Sequence, residues 1–209
     1  MLEHVPHWLG AMMKNVRAGH AKLAIVQDGI ANDVDRIDLS SPAFADGARL
    51  PERFTGDGDG ISPPLLWGDL PAGTSSLALI VEDPDAPTPN PLVHALVWNI
   101  PAHERSLPEG AVVSDGDGGV DGRDVGRNSY FAEGWLPPDP PTGHGPHDYV
   151  FQLFALANTP DLGRNPGRSR LTEALKGNVL AAGLLVGTYS RGEESPIREG
   201  FEGYRPATA

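Results

Sequence analysis

The sequence predicts a mainly β, loop-rich protein, and two observations carry that prediction. Four apolar runs have strand length and strand composition: SLALIVED (76–83), VHALVWNI (93–100), HDYVFQLFAL (147–156) and LLVGTY (184–189). Between them lie most of the 21 prolines and 26 glycines, together more than a fifth of the 209 residues and without a repeat. A chain of this length builds one good core, or one domain plus an appendage.

Taken in order, residues 1–19 read as a helix. Leu2, Val5, Leu9, Met12 and Val16 form an apolar stripe, Pro6 suits a first turn and Gly19 a stop. A helix this short must pack on something, either its own domain or a second subunit, so a homodimer contact is one reading of the stripe. Residues 37–75 are irregular. The first and third apolar runs have long continuous cores, which predicts central strands covered on both faces. Residues 103–146 form a long acidic excursion rich in Gly and Pro, of a kind that is usually functional or mobile. SRLTEALKGNVLAAG (169–183) reads as a helix capped by Ser169, with Leu171, Leu175, Val179 and Ala182 on one face. The resulting division is a helical extension over 1–36, a domain over 37–191 and a tail over 192–209.

Composition excludes several function classes. The formal net charge is −12, which argues against a nucleic-acid-binding face, since phosphate neutralisation needs clustered Lys and Arg. A local anion pocket built from histidines and backbone N–H groups is compatible with that charge. There is no cysteine, so disulfides, thiolate zinc sites and thiol catalysis are all absent. No run reaches membrane-spanning length and the first residues lack a secretory pattern, so a cytoplasmic protein is expected. GDGDG (56–60) and SDGDGGVDGRD (114–124) miss the ligand spacing of a calcium loop and read as Asp-Gly turns. TYSRG (188–192) lacks the first glycine of a nucleophile elbow. No cofactor is expected.

What remains is VEDPDAPTPNPLVHALVWNIP (81–101), whose connection between strands is stiffer and more acidic than a hairpin requires. PPDPPTGHGPHDYVFQLFAL (137–156) repeats the pattern, a rigid loop against the edge of an apolar strand. His147 and Tyr149 stand two apart and share a face. His94 opens its own strand, and Asp83 ends the one before. With these strand ends together, Asp83, His94, His147 and Tyr149 converge. A carboxylate orients a histidine and favours its proton, and a protonated His and a Tyr hydroxyl are donors for an anion. Prolines wall a pocket without side-chain motion, and Gly143 and Gly145 let backbone N–H groups come close to a ligand. The plainer alternatives are turn-forming aspartates and histidines that serve as structural hydrogen-bonders.

These segments resemble the phosphatidylethanolamine-binding protein family, in its bacterial and archaeal branch of Raf kinase inhibitor-like proteins. The matching pieces are SPAFADGARLPERFTGDGDGISPPLLWGDLPAGTSSLALIVEDPDAP, HALVWNIP, GRNSYFAEGWLPPDPPTGHGPHDYVFQLFAL and VLAAGLLVGTYSR. The resemblance implies two antiparallel β-sheets, the larger one central, with a few peripheral helices. It implies a small pocket for phosphate, phosphoryl or carboxylate groups. Asp83 and Asp85 match the two acidic residues of DPDAP, His94 the pocket histidine of the next strand, and Pro140, Pro141, His147 and Tyr149 the opposite wall. The Ala86–Pro87 bond resembles one that is cis in the family. The chain departs from the family pattern at WLPPDPP, where Trp135, Leu136 and Pro137 make a bulkier wall and Asp139 replaces a Cys, and at Asp148, where an Arg is common.

Three functions follow. The first is a non-catalytic module binding a small anionic or phosphorylated ligand, with a kinase or protease as a possible protein partner. The second is a hydrolase or lyase using Asp83 and His94 as a base pair, or a metal held by His94, His147 and Asp83. The third is an inhibitor of another protein acting through the acidic 103–146 loop.

Overall fold

The computed structural model describes residues 15–114 and 122–191. Nine strands lie among them: β1 (Asp35–Arg36), β2 (Leu39–Ser40), β3 (Leu65–Trp67), β4 (Ser76–Asp83), β5 (Leu92–Pro101), β6 (Ser106–Leu107), β7 (Asp124–Val125), β8 (His147–Leu156) and β9 (Val179–Tyr189). One helix, α1 (Arg168–Leu175), and three short 3-10 turns complete the described elements. Six strands form a large sheet in the order β1-β9-β8-β4-β5-β7, and β2-β3-β6 form a small antiparallel one. The large sheet is mixed rather than purely antiparallel, because β1 runs parallel to β9.

The two strands predicted to be central are β4 and β8, and every residue of both is buried. Period-2 alternation sends their side chains to two separate cores. Leu77, Leu79, Val81, Tyr149, Phe151 and Leu153 face the small sheet, packing with Leu39, Leu65 and Trp67. Ala78, Ile80, Val150, Phe154 and Leu156 face the other way, against α1 and residues 23–31.

The helix expected over 169–183 ends early. Gly167 caps α1 without a side-chain bond, and Ser169 lies inside the first turn. Gly177 takes φ 64°, a left-handed position that stops the helix. Val179 onward then pairs along the whole length of β8. The spacing of Val179 and Ala182 fitted a helical face, but the ladder offered by a buried neighbouring strand overrides that local preference.

The N-terminal helical prediction falls mostly on residues 1–14, outside the described residues. Asn15 lies in a turn and residues 16–19 have no regular structure, followed by a 3-10 turn at His20–Lys22. The tail over 192–209 also lies outside the described residues. Among the described residues every peptide bond is trans, Ala86–Pro87 included. Side-chain acceptance fixes that turn instead: Asp83 Oδ1 accepts from the N–H groups of Asp85 (2.8 Å) and Ala86 (2.9 Å). Among the described residues no helix is long and apolar enough to cross a membrane.

Candidate functional site

The site is built where the C-terminal end of β4 lies between the starts of β5 and β8. Asp83, Asp85, His94, His147 and Tyr149 are all buried there. Both oxygens of the Asp83 carboxylate are engaged: beyond the two backbone donors on Oδ1, Oδ2 accepts from His147 Nδ1 at 2.7 Å. Burial, the largest single influence, would push Asp83 up, but the His147 ring, His94 and the Asp85 N–H together outweigh it and hold its pKa below the usual carboxylate value. The other His147 nitrogen, Nε2, meets His144 Nδ1 at 2.6 Å, making a buried Asp83–His147–His144 chain. Sequence reasoning missed His144. Its signal was a histidine between two glycines, three residues before the strand histidine.

His94 reaches the site through a β-bulge. Val81 pairs with Ala95 and Glu82 with Val93, so His94 is an extra residue with no partner across the ladder. Alternation alone would put it on the face opposite Ala95; the bulge carries it beside Tyr149, at 5.0 Å edge to face, and Trp135, at 6.1 Å. His94 Nδ1 lies 2.6 Å from the Leu136 carbonyl oxygen, and the Leu136 N–H donates to the His94 carbonyl at 2.8 Å. His94 Nε2 is buried and has no hydrogen-bond partner among the described residues. Burial lowers the His94 pKa further than the nearby Asp83 charge raises it, so the ring is neutral at neutral pH. The Tyr149 hydroxyl is pushed well up, first by burial and then by Asp83, and remains a proton donor.

Pro140, Pro141, Gly143 and Gly145 are buried in the loop ahead of β8. The two glycines have φ 83° and 95°, which side-chain-bearing residues rarely adopt. Asp139, between prolines, pairs with Arg191. Asp57 of the GDGDG turn is not merely solvated: it accepts from the Tyr189 hydroxyl (2.7 Å) and from Arg191. A cavity of about 220 Å³ lies nearby, lined by Ser62, Val112, Glu133 and Trp135 among others. Glu133 is the one charged group in that lining. The cavity itself is therefore not the anion-receiving surface, and Trp135 lies both in its wall and beside His94.

Two predicted pairings are corrected. Asp83 is bonded to His147, not His94, whose ring is instead oriented by a backbone carbonyl. His94, His147 and Asp83 do not form a metal-ligand set, because Asp83 and His144 take both His147 nitrogens. The metal-capable group among the described residues is His20, Asp85 and Asp148, whose ligand atoms lie within 4.8 Å of one another. Arg17 already sits there, with Nη1 2.5 Å from Asp85 Oδ1.

That group belongs to an arm that sequence reasoning left aside. Residues 17–25 lie across the back of the site. Ala18 and Gly19 donate backbone N–H groups to the carbonyls of Ala86 and Pro84, Arg17 Nη1 to that of Pro146, and His20 Nε2 lies 3.0 Å from Asp148 Oδ2. Asp148 thus meets the His20 ring supplied by the arm. Further along, Ala24 N–H donates to Glu82 Oε2 and Ile25 N–H to Gln152 Oε1, both at 2.8 Å. Arg168 completes the pairing of the fully buried Glu82.

The family model for phosphatidylethanolamine-binding protein matches residues 40–190, a span that takes in β3 to β9 and Asp83, Asp85, His94, His144, His147 and Tyr149. The chain belongs to the phosphatidylethanolamine-binding protein family. A UPF0098 protein of Methanothermobacter thermautotrophicus is 40% identical over 156 residues, covering 75% of this chain and all of that one. The UPF0098 protein of Aquifex aeolicus is 39% identical over 158 residues, 74% of this chain and 89% of that one. Among solved structures, the phosphatidylethanolamine-binding protein homologue CT736 from Chlamydia trachomatis superposes with a TM-score of 0.67 at 33% identity, covering 75% of this chain and 99% of that one. E. coli YbcL, described as a member of the mammalian family, gives 0.69 at 31%, covering 74% and 98%. The arm that contacts Asp85 and Asp148 lies before the residues of the family match.

Proposed function

We propose that this member of the family is a non-catalytic binding protein whose site takes a small oxyanion: phosphate, a phosphoryl group or a carboxylate. The observation that carries this reading is His94, a buried ring with one nitrogen fixed by Leu136 and the other, Nε2, without a partner among the described residues. Buried polar atoms are almost always satisfied, and an orphan beside the bonded Asp83–His147–His144 chain is accounted for by a ligand that completes it. Tyr149, held in its protonated form, adds a hydroxyl donor beside it. The loop prolines and the hydrogen-bonded Asp83 turn keep the walls fixed, so little ordering is needed on binding.

The same bonds weigh against catalysis by Asp83 and His94. Asp83 is engaged by the turn and by His147 rather than by His94, and His94 has a carbonyl rather than a carboxylate behind it. A ligand that binds the folded state raises the melting temperature. Inorganic phosphate in excess is expected to stabilise the wild type by several degrees and to leave a folded His94→Ala variant unmoved. Equal shifts in both proteins would remove His94 from the site.

A further inference from the structure

We infer that the site takes its oxyanion together with one proton, held between His94 Nε2 and a ligand oxygen, so that binding strengthens as pH falls. This deepens the anion-binding reading and rests on it. The argument begins with the tautomer. The Leu136 carbonyl oxygen can only accept, so the His94 nitrogen facing it at 2.6 Å must be Nδ1–H. In a neutral ring Nε2 is then a lone pair. A lone pair cannot satisfy an ionised oxygen; two acceptors facing each other in a water-free place repel.

A proton between them resolves the conflict, and it has two possible carriers. The ligand can bring it as P–OH or C–OH, donating to Nε2. Alternatively, a fully ionised ligand can draw it from water onto Nε2, which becomes N–H and donates to the anion. Either way one proton is bound with the ligand and returns to water when the ligand leaves.

The surroundings enforce this balance. Asp83 from β4 places a buried carboxylate in the cluster, His147 and Tyr149 face the ring from β8, and Trp135 and Leu136 close it from the loop. Asp85 and Asp139 add their negative charge around Tyr149. The ring is neutral before binding, as its burial dictates. A second unprotonated anion beside Asp83 would be a like charge in a desolvated place, which is strongly unfavourable. The site therefore favours oxyacids that keep a proton near neutral pH, phosphate and its monoesters above all, over anions that have none to bring.

Sulfate is the probe that isolates this, because it has no proton of its own to supply from about pH 5 to about pH 8. Titrations of the full chain with sulfate are run across that range, in two buffers of different ionisation enthalpy. The expected result is uptake approaching one proton per sulfate, with affinity falling roughly tenfold per pH unit toward the alkaline end. Phosphate is expected to take up a smaller fraction from buffer where its own monoanion predominates. His94→Gln, which keeps a hydrogen-bonding group without titrating, is expected to abolish the uptake. Sulfate binding with flat pH dependence and no uptake would overturn the proton coupling while leaving the anion site standing. Uptake that persists in a folded His94→Gln variant would overturn the assignment to His94. Absence of binding by sulfate and by phosphate at every pH would overturn both this inference and the anion-binding reading. The wild-type buffer comparison stands without the variant.

Discussion

Removing residues 1–36 is expected to unfold this protein or leave it aggregating, although the family match begins only at residue 40. Leu23, Ile25 and Ile30 are almost completely buried against the face of the large sheet formed by Ile80, Val150 and Phe154. Burying three such side chains is worth roughly 5–9 kcal/mol, comparable to the whole stability of an ordinary domain at about 5–15 kcal/mol. The polar side adds to this. Without the arm, Glu82 loses the Ala24 N–H, Gln152 loses the Ile25 N–H, and Asp85 loses Arg17. Circular dichroism melting of the 37–209 fragment checks this. A cooperative transition near that of the full chain would show that the arm is an ornament rather than part of the core.

Replacing Asp83 by alanine is expected to cost about 3–5 kcal/mol, the usual penalty for breaking a buried, bonded charge. The loss has three parts: the Asp85 and Ala86 N–H groups that hold the turn, and the His147 Nδ1–H that would face nothing. Asp83→Asn should recover part of it, since an amide oxygen still accepts from the turn. The two variants also differ from wild type in acid. The folded Asp83 pKa is lower than its unfolded value, so its contribution to stability is present above about pH 4 and is lost as pH falls through the folded value. Denaturant midpoints measured from neutral pH downward should therefore fall for wild type and fall less for Asp83→Ala. An unchanged midpoint in Asp83→Ala at neutral pH would contradict the role given to this carboxylate.

Much of this arrangement was legible in the sequence, and the parts that were not share a cause. Strands β4 and β8 announced themselves as long apolar runs, and period 2 put His147 and Tyr149 on one face. Asp83 was legible as the acidic end of a strand before a proline-rich turn. His94 was expected beside Tyr149 and lies there, but its route was not legible, because a bulge depends on how two strands twist past each other and leaves no local mark. The partner of Asp83 was misassigned for the same reason.

The course of the arm was not legible because its bonds run to residues far away in the sequence, from backbone N–H groups to carbonyls and side chains and from Arg17 and His20 to Asp85 and Asp148. A signal existed in those acceptors: Glu82 and Gln152 are buried polar residues of the two fully buried strands β4 and β8. Polar residues there need partners from outside the sheet. The parallel pairing of β1 had no local sign either. It follows from residues 35–37 lying along β9, where the Ile37 N–H donates to the Ala182 carbonyl at 2.9 Å. Gly183 leaves room for that approach, since a Cβ there would come within 2.7 Å of the Ile37 carbonyl oxygen.

The measurement that tests the central claim most directly is the histidine side-chain NMR spectrum of the full chain during titration with inorganic phosphate. Saturable binding at the proposed site predicts that the His94 Nε2 resonance moves from the position of a bare lone pair to that of a hydrogen-bonded nitrogen, while Nδ1 keeps its bond to Leu136. A His94 signal that stays still at saturating phosphate, or that moves no more than the exposed His103, would contradict the claim that this buried ring receives an anion.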